Sequence, residues 1–219
     1  MKLLPFVLTA SAVAFAQTRS LNCNEKNSFH NRLVSACEMR EQTIGYGGRL
    51  AVDGGMNGGV AVKGWDNSSI LVRTKIETAG RDEGAAKSIA SQIKVVASAG
   101  QVSATGPEMN RDNNWSVTYE IFVPRNANVN LKAHNGGISI SDIRGNIQFN
   151  TTNGGVNLSM PEGYNAHFET VTVNGHLNTS FPVTVRGNIS HKRLATDIGA
   201  GGPTIHVETT NGGVNLKKI

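Results

Sequence analysis

The sequence predicts an all-β protein: a β-solenoid, a single-stranded β-helix-like stack of coils with one short helix. Three observations carry this. The octapeptide TTNGGVNL occurs twice, at 151–158 and 209–216. The same Asn-Gly corner recurs at Asn57-Gly58, Asn135-Gly136, Asn153-Gly154, Asn174-Gly175 and Asn211-Gly212. The composition, with 25 Gly, 5% aromatic and 17% charged residues, is that of a turn-rich β protein.

The elements follow in order. Residues 1–16, MKLLPFVLTASAVAFA, read as a signal peptide: Lys2, an apolar run too short to span a bilayer, and the small-x-small end Ala14-Phe15-Ala16. Cleavage there predicts an exported protein, periplasmic or at the cell surface, with no membrane span left. Residues 17–42 form an N-terminal segment in which Cys23 and Cys37 make a disulfide, as an even cysteine count in an exported chain favours. Closing this loop stabilises the fold by ~3 kcal/mol in the chain-entropy picture. A redox pair or metal site would want C-x-x-C spacing, which is absent. Residues 43–219 form the solenoid domain.

Within it, 50–52 precede the Asn57 corner one residue out of phase, and a bulge at Gly54-Gly55 restores the phase. A strand at 70–76 leads to a helix at 84–93, where Ala85, Ile89 and Ile93 recur at helical spacing and cover an edge or plug the stack's end. Strands at 93–97, 102–104 and 115–123 follow, with GPEMNRDNN at 106–114 as a long exposed loop.

From Asn135 the corners step by 18, 21 and 37 residues, the last close to a double step that hides one turn. Aligned on the corner Asn, the residues two, four and six back are apolar or small. Leu131, Phe149, Thr170 and Val207 are one such column; Lys132, Asn150, Val171 and Glu208 make an intervening one. Alternation of this kind sends one set inward and the other to water. Asn and Gly suit a corner because both tolerate positive φ, and stacked Asn side chains can bond along the stack. The competing arrangement, Asn-Gly hairpins in a sandwich, explains a turn but not matched columns. Lys217 and Lys218 put charge on the last strand, as a guard on an exposed edge.

Four stretches, CEMRE at 37–41, VKGWDNSSILVRTKIE at 62–77, WSVTYEIFVPRNANVNLKAHNGGISI at 115–140 and IGAGGPTIHVETTNGGVNL at 198–216, resemble the bacterial putative-adhesin family. The resemblance spans about residues 37–219. It implies an exported β-solenoid domain of unknown function, and it carries no catalytic or ligand residues, only corners and core positions. His176 departs from the pattern where the other corners have a second Gly.

The chemistry the sequence offers is sparse. A net charge of +5 is scattered, which argues against a nucleic-acid partner. The histidines, His30, His134, His167, His176, His191 and His206, show no H-E-x-x-H, so no metal centre is expected. G-x-S-x-G is absent, and GYGG at 45–48 and GAGG at 199–202 lack a phosphate loop's ending, so neither catalytic residues nor cofactor ligands are expected. The acidic candidates for polysaccharide chemistry, Asp142, Glu162, Glu169, Asp197 and Glu208, are dispersed, Glu169 and Glu208 in different outward columns. Trp65 and Trp115 stand at strand starts, where they cap the core. The sequence therefore favours a non-enzymatic exported domain that meets a glycan or protein at the envelope. Its rivals are a polysaccharide-acting enzyme and a structural or sensory periplasmic domain without ligand.

Overall fold

The computed structural model describes residues 21–24, 32–185 and 193–219. The expected signal peptide, His30 and His191 lie outside them. Among the described residues seventeen strands and one helix run in the order β1 (Val34–Gly45), β2 (Arg49–Asp53), β3 (Val60–Trp65), β4 (Ser69–Gly80), α1 (Glu83–Gln92), β5 (Lys94–Ser98), β6 (Gln101–Thr105), β7 (Asn114–Pro124), β8 (Asn128–Asn135) and β9 (Ile138–Ser141). They continue with β10 (Ile147–Asn153), β11 (Val156–Met160), β12 (Ala166–Asn174), β13 (Leu177–Thr179), β14 (Val183–Val185), β15 (Arg193–Ile198), β16 (Thr204–Asn211) and β17 (Val214–Lys218). The expected boundary at 42/43 falls inside β1.

The strands form two mixed sheets. One has eight strands, β1-β4-β7-β3-β9-β11-β17-β13; the other has nine, β14-β15-β12-β16-β10-β8-β2-β6-β5. At each Asn-Gly corner the chain leaves the nine-stranded sheet and enters the eight-stranded one, as in β8 to β9 and β10 to β11. The flanking strands thus lie in different sheets, and the corners are not hairpins. Four of these units are parallel and in register, Asn153 pairing with Asn135 on one side and Asn211 on the other, and Asn174 with Asn211; the fifth, β2-β3, is parallel to β8-β9.

The order of the units departs from a simple coil stack. The last unit, β16-β17, sits between β10-β11 and β12-β13. The two copies of TTNGGVNL are therefore direct neighbours, Thr151 on Thr209 and Leu158 on Leu216. The double step before Asn211 has the same origin: after β13 the chain forms β14 and β15, antiparallel strands at one end of the nine-stranded sheet, before returning into the middle. Antiparallel β1-β4-β7 and β5-β6 close the other end. All-β architecture is what the structure shows; the sequential coil order of a solenoid is not.

The core lies between the sheets. Leu131, Phe149, Val207, Ile140 and Leu158 are at most 1% exposed, and the alternate residues Lys132, Asn150 and Glu208 face water. Each such burial contributes about 1.5–3 kcal/mol. Between β2 and β8 the pairing offset changes by one residue between Val52–Leu131 and the Asn57–Asn135 bridge. The extra residue lies at 53–56, where Gly55 has φ +67°. Helix α1 starts at Asp82, whose side chain accepts from Ala85 N at 2.7 Å, and turns Ala86, Ile89 and Ala90 into the end of the core.

Two expectations need correction. The last strand is not an edge: β17 lies between β11 and β13, so Lys217 and Lys218 guard nothing. Instead Lys218 Nζ stands 5.7 Å over the Phe181 ring. Trp65 ends β3 rather than starting a strand; it packs on Phe122 and donates from Nε1 to Ser69 O at 2.9 Å. Trp115 lies near the start of β7, and its Nε1 donates to Pro107 O at 2.8 Å, fastening the long loop.

Candidate functional site

The outward side chains of the parallel strands form ladders, because equivalent residues on neighbouring rungs lie one strand spacing apart. At the corners, Asn174, Asn211, Asn153 and Asn135 each donate from Nδ2 to the Oδ1 of the next, at 2.8, 2.7, 2.8 and 3.3 Å, ending on Asn57. A second row joins Asn178, Asn215 and Asn157 at 3.0 and 3.2 Å. A third lines the far ends of the strands: Asn146 N and Nδ2 donate to Asn128 Oδ1, and Thr204 N donates to Asn146 Oδ1.

The corner glycines are there for space. A Cβ on Gly136, Gly154, Gly175 or Gly212 would come within 1.9–2.1 Å of the neighbouring corner's carbonyl oxygen. None of them has positive φ. The left-handed backbone expected of these corners is absent, and close backbone approach takes its place. His176 is tolerated because its unit is the outermost of the parallel stack in the eight-stranded sheet; its ring lies against Gly213.

On the outward face of the nine-stranded sheet the ladder becomes titratable. Register sets Asp197 of β15 beside His167 of β12, Glu169 of β12 beside His206 of β16, and Glu208 of β16 beside Asn150 of β10. His167 Nδ1 meets Asp197 Oδ1 at 2.8 Å, and its Nε2 meets Glu169 Oε1 at 3.3 Å. His206 Nδ1 meets Glu169 Oε2 at 3.2 Å, and its Nε2 meets Glu208 Oε1 at 3.0 Å. Asn150 Nδ2 closes the row on Glu208 Oε2 at 3.0 Å. An imidazole donates from both nitrogens only when protonated, so His167 donates to Asp197 and Glu169 together only as imidazolium. The Asp197 hydrogen bond raises His167 above the ordinary imidazole value. Hydrogen bonds from His206 and then His167 hold Glu169 below the ordinary carboxylate range.

The carboxylates expected to be dispersed are thus partly gathered. Glu169, Asp197 and Glu208 come together; Asp142 pairs with Arg125, and Glu162 lies 3.9 Å from Lys218. Each gathered carboxylate faces an imidazole rather than another carboxylate. Among the described residues no His, Cys, Asp or Glu group is arranged to hold a metal ion.

Beside His206 the sheet opens into a groove of about 620 Å3 lined by Arg49, Asn128, Asn130, Asn146, Gln148 and His206 among others. Its floor is amide-rich and crosses several rungs. On the opposite sheet, the Cys23–Cys37 disulfide ties residues 21–24 to β1. Leu21 N donates to Glu120 Oε2 at 3.4 Å, and Arg73 Nη2 donates to Leu21 O at 3.2 Å. There Glu120, its side chain 2% exposed, is held by Arg73 and by Lys63 Nζ at 2.8 Å.

The chain shares its fold with a putative cell adhesion protein from Clostridium sporogenes: 11% identity, 84% of this chain and all of that one, TM-score 0.56. At that identity the likeness shows the fold alone. A putative adhesin from Parabacteroides distasonis (8% identity, 81% of this chain and 69% of that one, TM-score 0.31) and a putative lipid binding protein from the same organism (10%, 84% and 96%, TM-score 0.27) are more remote. No protein-family model and no curated protein matches the chain.

Proposed function

We propose that this is an exported, non-enzymatic domain of the putative-adhesin type, with a solenoid-like core, which binds a partner at the cell envelope through the outward face of its nine-stranded sheet. The observation that carries this reading is the face itself, a regular array of amide and ion-pair ladders opening into an exposed groove. Such a surface offers repeated hydrogen-bonding groups over several rungs and suits an extended ligand. The shared fold with a putative cell adhesion protein agrees with it. The disulfide agrees with export, since such bonds persist in oxidising compartments.

Beads coated with the purified protein test it against intact bacterial cells and isolated envelopes. Saturable capture is expected, reduced at least tenfold when Arg49, Asn130 and Gln148 are all replaced by Ala. Capture no better than with an unrelated β protein, or unchanged by the triple replacement, overturns the reading.

The gathering of Glu169, Asp197 and Glu208 favours a second reading, an enzyme acting on polysaccharide. Glycosidic hydrolysis needs one carboxyl to donate a proton and another to attack or activate water. Here every one of the three is already engaged by an imidazole, and hydrogen bonds from His206 and His167 hold Glu169 below the ordinary carboxylate range, which suits neither the acid nor an unencumbered nucleophile. Release of new sugar ends from a polysaccharide panel, abolished by Glu169→Gln, would establish the enzyme instead.

A further inference from the structure

The long loop 106–113, between β6 and β7, folds back on itself. Asn110 N donates to Asn113 O at 2.8 Å, Asp112 N to Asn110 Oδ1 at 2.9 Å, and Asn113 Nδ2 to Glu108 O at 3.1 Å. These bonds carry Asp112 to Arg81, in the turn between β4 and α1, with Arg81 Nη2 on Asp112 Oδ2 at 2.5 Å. Arg32, just ahead of β1, approaches from a third segment. Together Arg32, Arg81, Asn110, Arg111, Asp112 and Asn114 line a cavity of about 530 Å3.

The charge in this cavity is out of balance. Among the described residues it is lined by three guanidinium groups and one carboxylate, and Arg81 has taken the carboxylate. Arg32 and Arg111 have no ion pair among the described residues. Asn110 and Asn114 add amide groups to the same lining.

We propose that this cavity binds an acidic glycan. The sugar's oxyanion, carboxylate or sulfate, seats on Arg32 and Arg111, and its hydroxyls bond to Asn110 and Asn114. Guanidinium forks match the planar, two-oxygen edge of an oxyanion and remain charged at all accessible pH. Bringing three like charges around one cavity costs energy until an anion enters it. The cavity, at about 530 Å3, exceeds what a bare inorganic anion fills and leaves room for sugar rings beside the oxyanion. The volume lies within the usual range for small-ligand sites. The proposal does not rest on the envelope-binding reading, because it concerns other residues and a defined class of ligand.

Calorimetric titration of the purified protein with oligogalacturonate, a sulfated chondroitin oligosaccharide, a neutral cello-oligosaccharide and inorganic phosphate tests it. At least one acidic oligosaccharide is expected to bind and to weaken as salt is raised; the carboxylated and sulfated arms tell which oxyanion fits. The neutral oligosaccharide is expected not to bind. Arg32→Gln and Arg111→Gln are each expected to weaken binding by about tenfold. Lys132→Gln, on the other sheet, is expected to leave it unchanged. Both arginines are exposed, so the variants are expected to melt with the parent protein, which keeps a loss of binding from being a loss of fold. Binding of neutral and acidic sugars alike overturns the proposal. So do binding of phosphate as tight as that of the sugar, absence of binding by both acidic sugars, and arginine variants that bind as the parent does. Capture of cells by the amide-lined groove can fail or succeed without altering any of these outcomes.

Discussion

A single methyl group decides the corner. On Gly154 it would sit 2.1 Å from Gly136 O, while on Gly155 its nearest neighbour would be Gly213 O at 3.7 Å, an ordinary contact. Both are glycines of the same repeat, and the sequence ranks them equally. Gly154→Ala is therefore expected to destabilise the protein by about 3 kcal/mol, since the rung above must move. Gly155→Ala is expected to change stability by less than about 1 kcal/mol. Urea unfolding of the two variants checks the contrast; equal losses would show that the corner is a matter of backbone angle after all. The repeat marked where the corners are. It did not show why they need glycine, because the carbonyl that excludes a side chain belongs to a rung 18 or 58 residues away.

Strands bring together what the chain keeps apart. Glu169 and His206 each stand five residues ahead of a corner Asn, so alignment on the corners could have paired them. Asp197 lies on antiparallel β15, outside the repeat, and no column could place it beside His167. The resulting row joins β15, β12 and β16, and its stability must vary with pH. His167 titrates above its ordinary value, so its contribution is fully present below the unfolded imidazole value and is lost as pH rises through the folded one. Glu169 titrates below its ordinary value, so its contribution is present above the unfolded carboxylate value and is lost as pH falls through the folded one. The two overlap between about pH 4.3 and about pH 6.5. These side chains are 38–45% exposed, so solvent screens them and the effect stays at about 1 kcal/mol or less. The double variant His167→Gln, Glu169→Gln is expected to melt below the parent at pH 5.5 and close to it at pH 8.5. A gap that is equal or larger at pH 8.5 would exclude the row as its source.

The N-terminal staple acts at the same scale. Cys23 and Cys37 close a loop of 14 residues against β1. Replacing both by Ser is expected to cost about 3 kcal/mol, read as a lower urea midpoint. The pairing was readable from an even cysteine count. The place where it acts was not, since the sequence treated 17–42 as a segment ahead of the fold, and β1 is instead built into the eight-stranded sheet.

For the whole molecule, the order of the units matters more than their likeness. A sequential stack can lose its last coil and keep the rest, because each coil depends on its neighbours alone. Here the last unit is not at the end. β16 is paired on both sides, with β10 and β12, and β17 with β11 and β13. Ile205, Val207, Val214 and Leu216 of this unit are at most 2% exposed and fill the middle of the core. Two identical octapeptides allow this, since the inserted unit matches β10-β11 residue for residue. A chain ending at Gly202 therefore lacks an internal rung, leaving unpaired edges of β10 and β12 and an open core between the sheets. Such edges invite association with other chains. The shortened protein is expected to show no cooperative thermal transition and to aggregate, whereas the full chain melts as one unit. Calorimetry and light scattering on the two chains decide the matter. A shortened chain that stays monomeric and melts cooperatively within a few degrees of the full one would mean that β10-β11 and β12-β13 can close on each other, and the interior place of the last unit would then carry no thermodynamic weight.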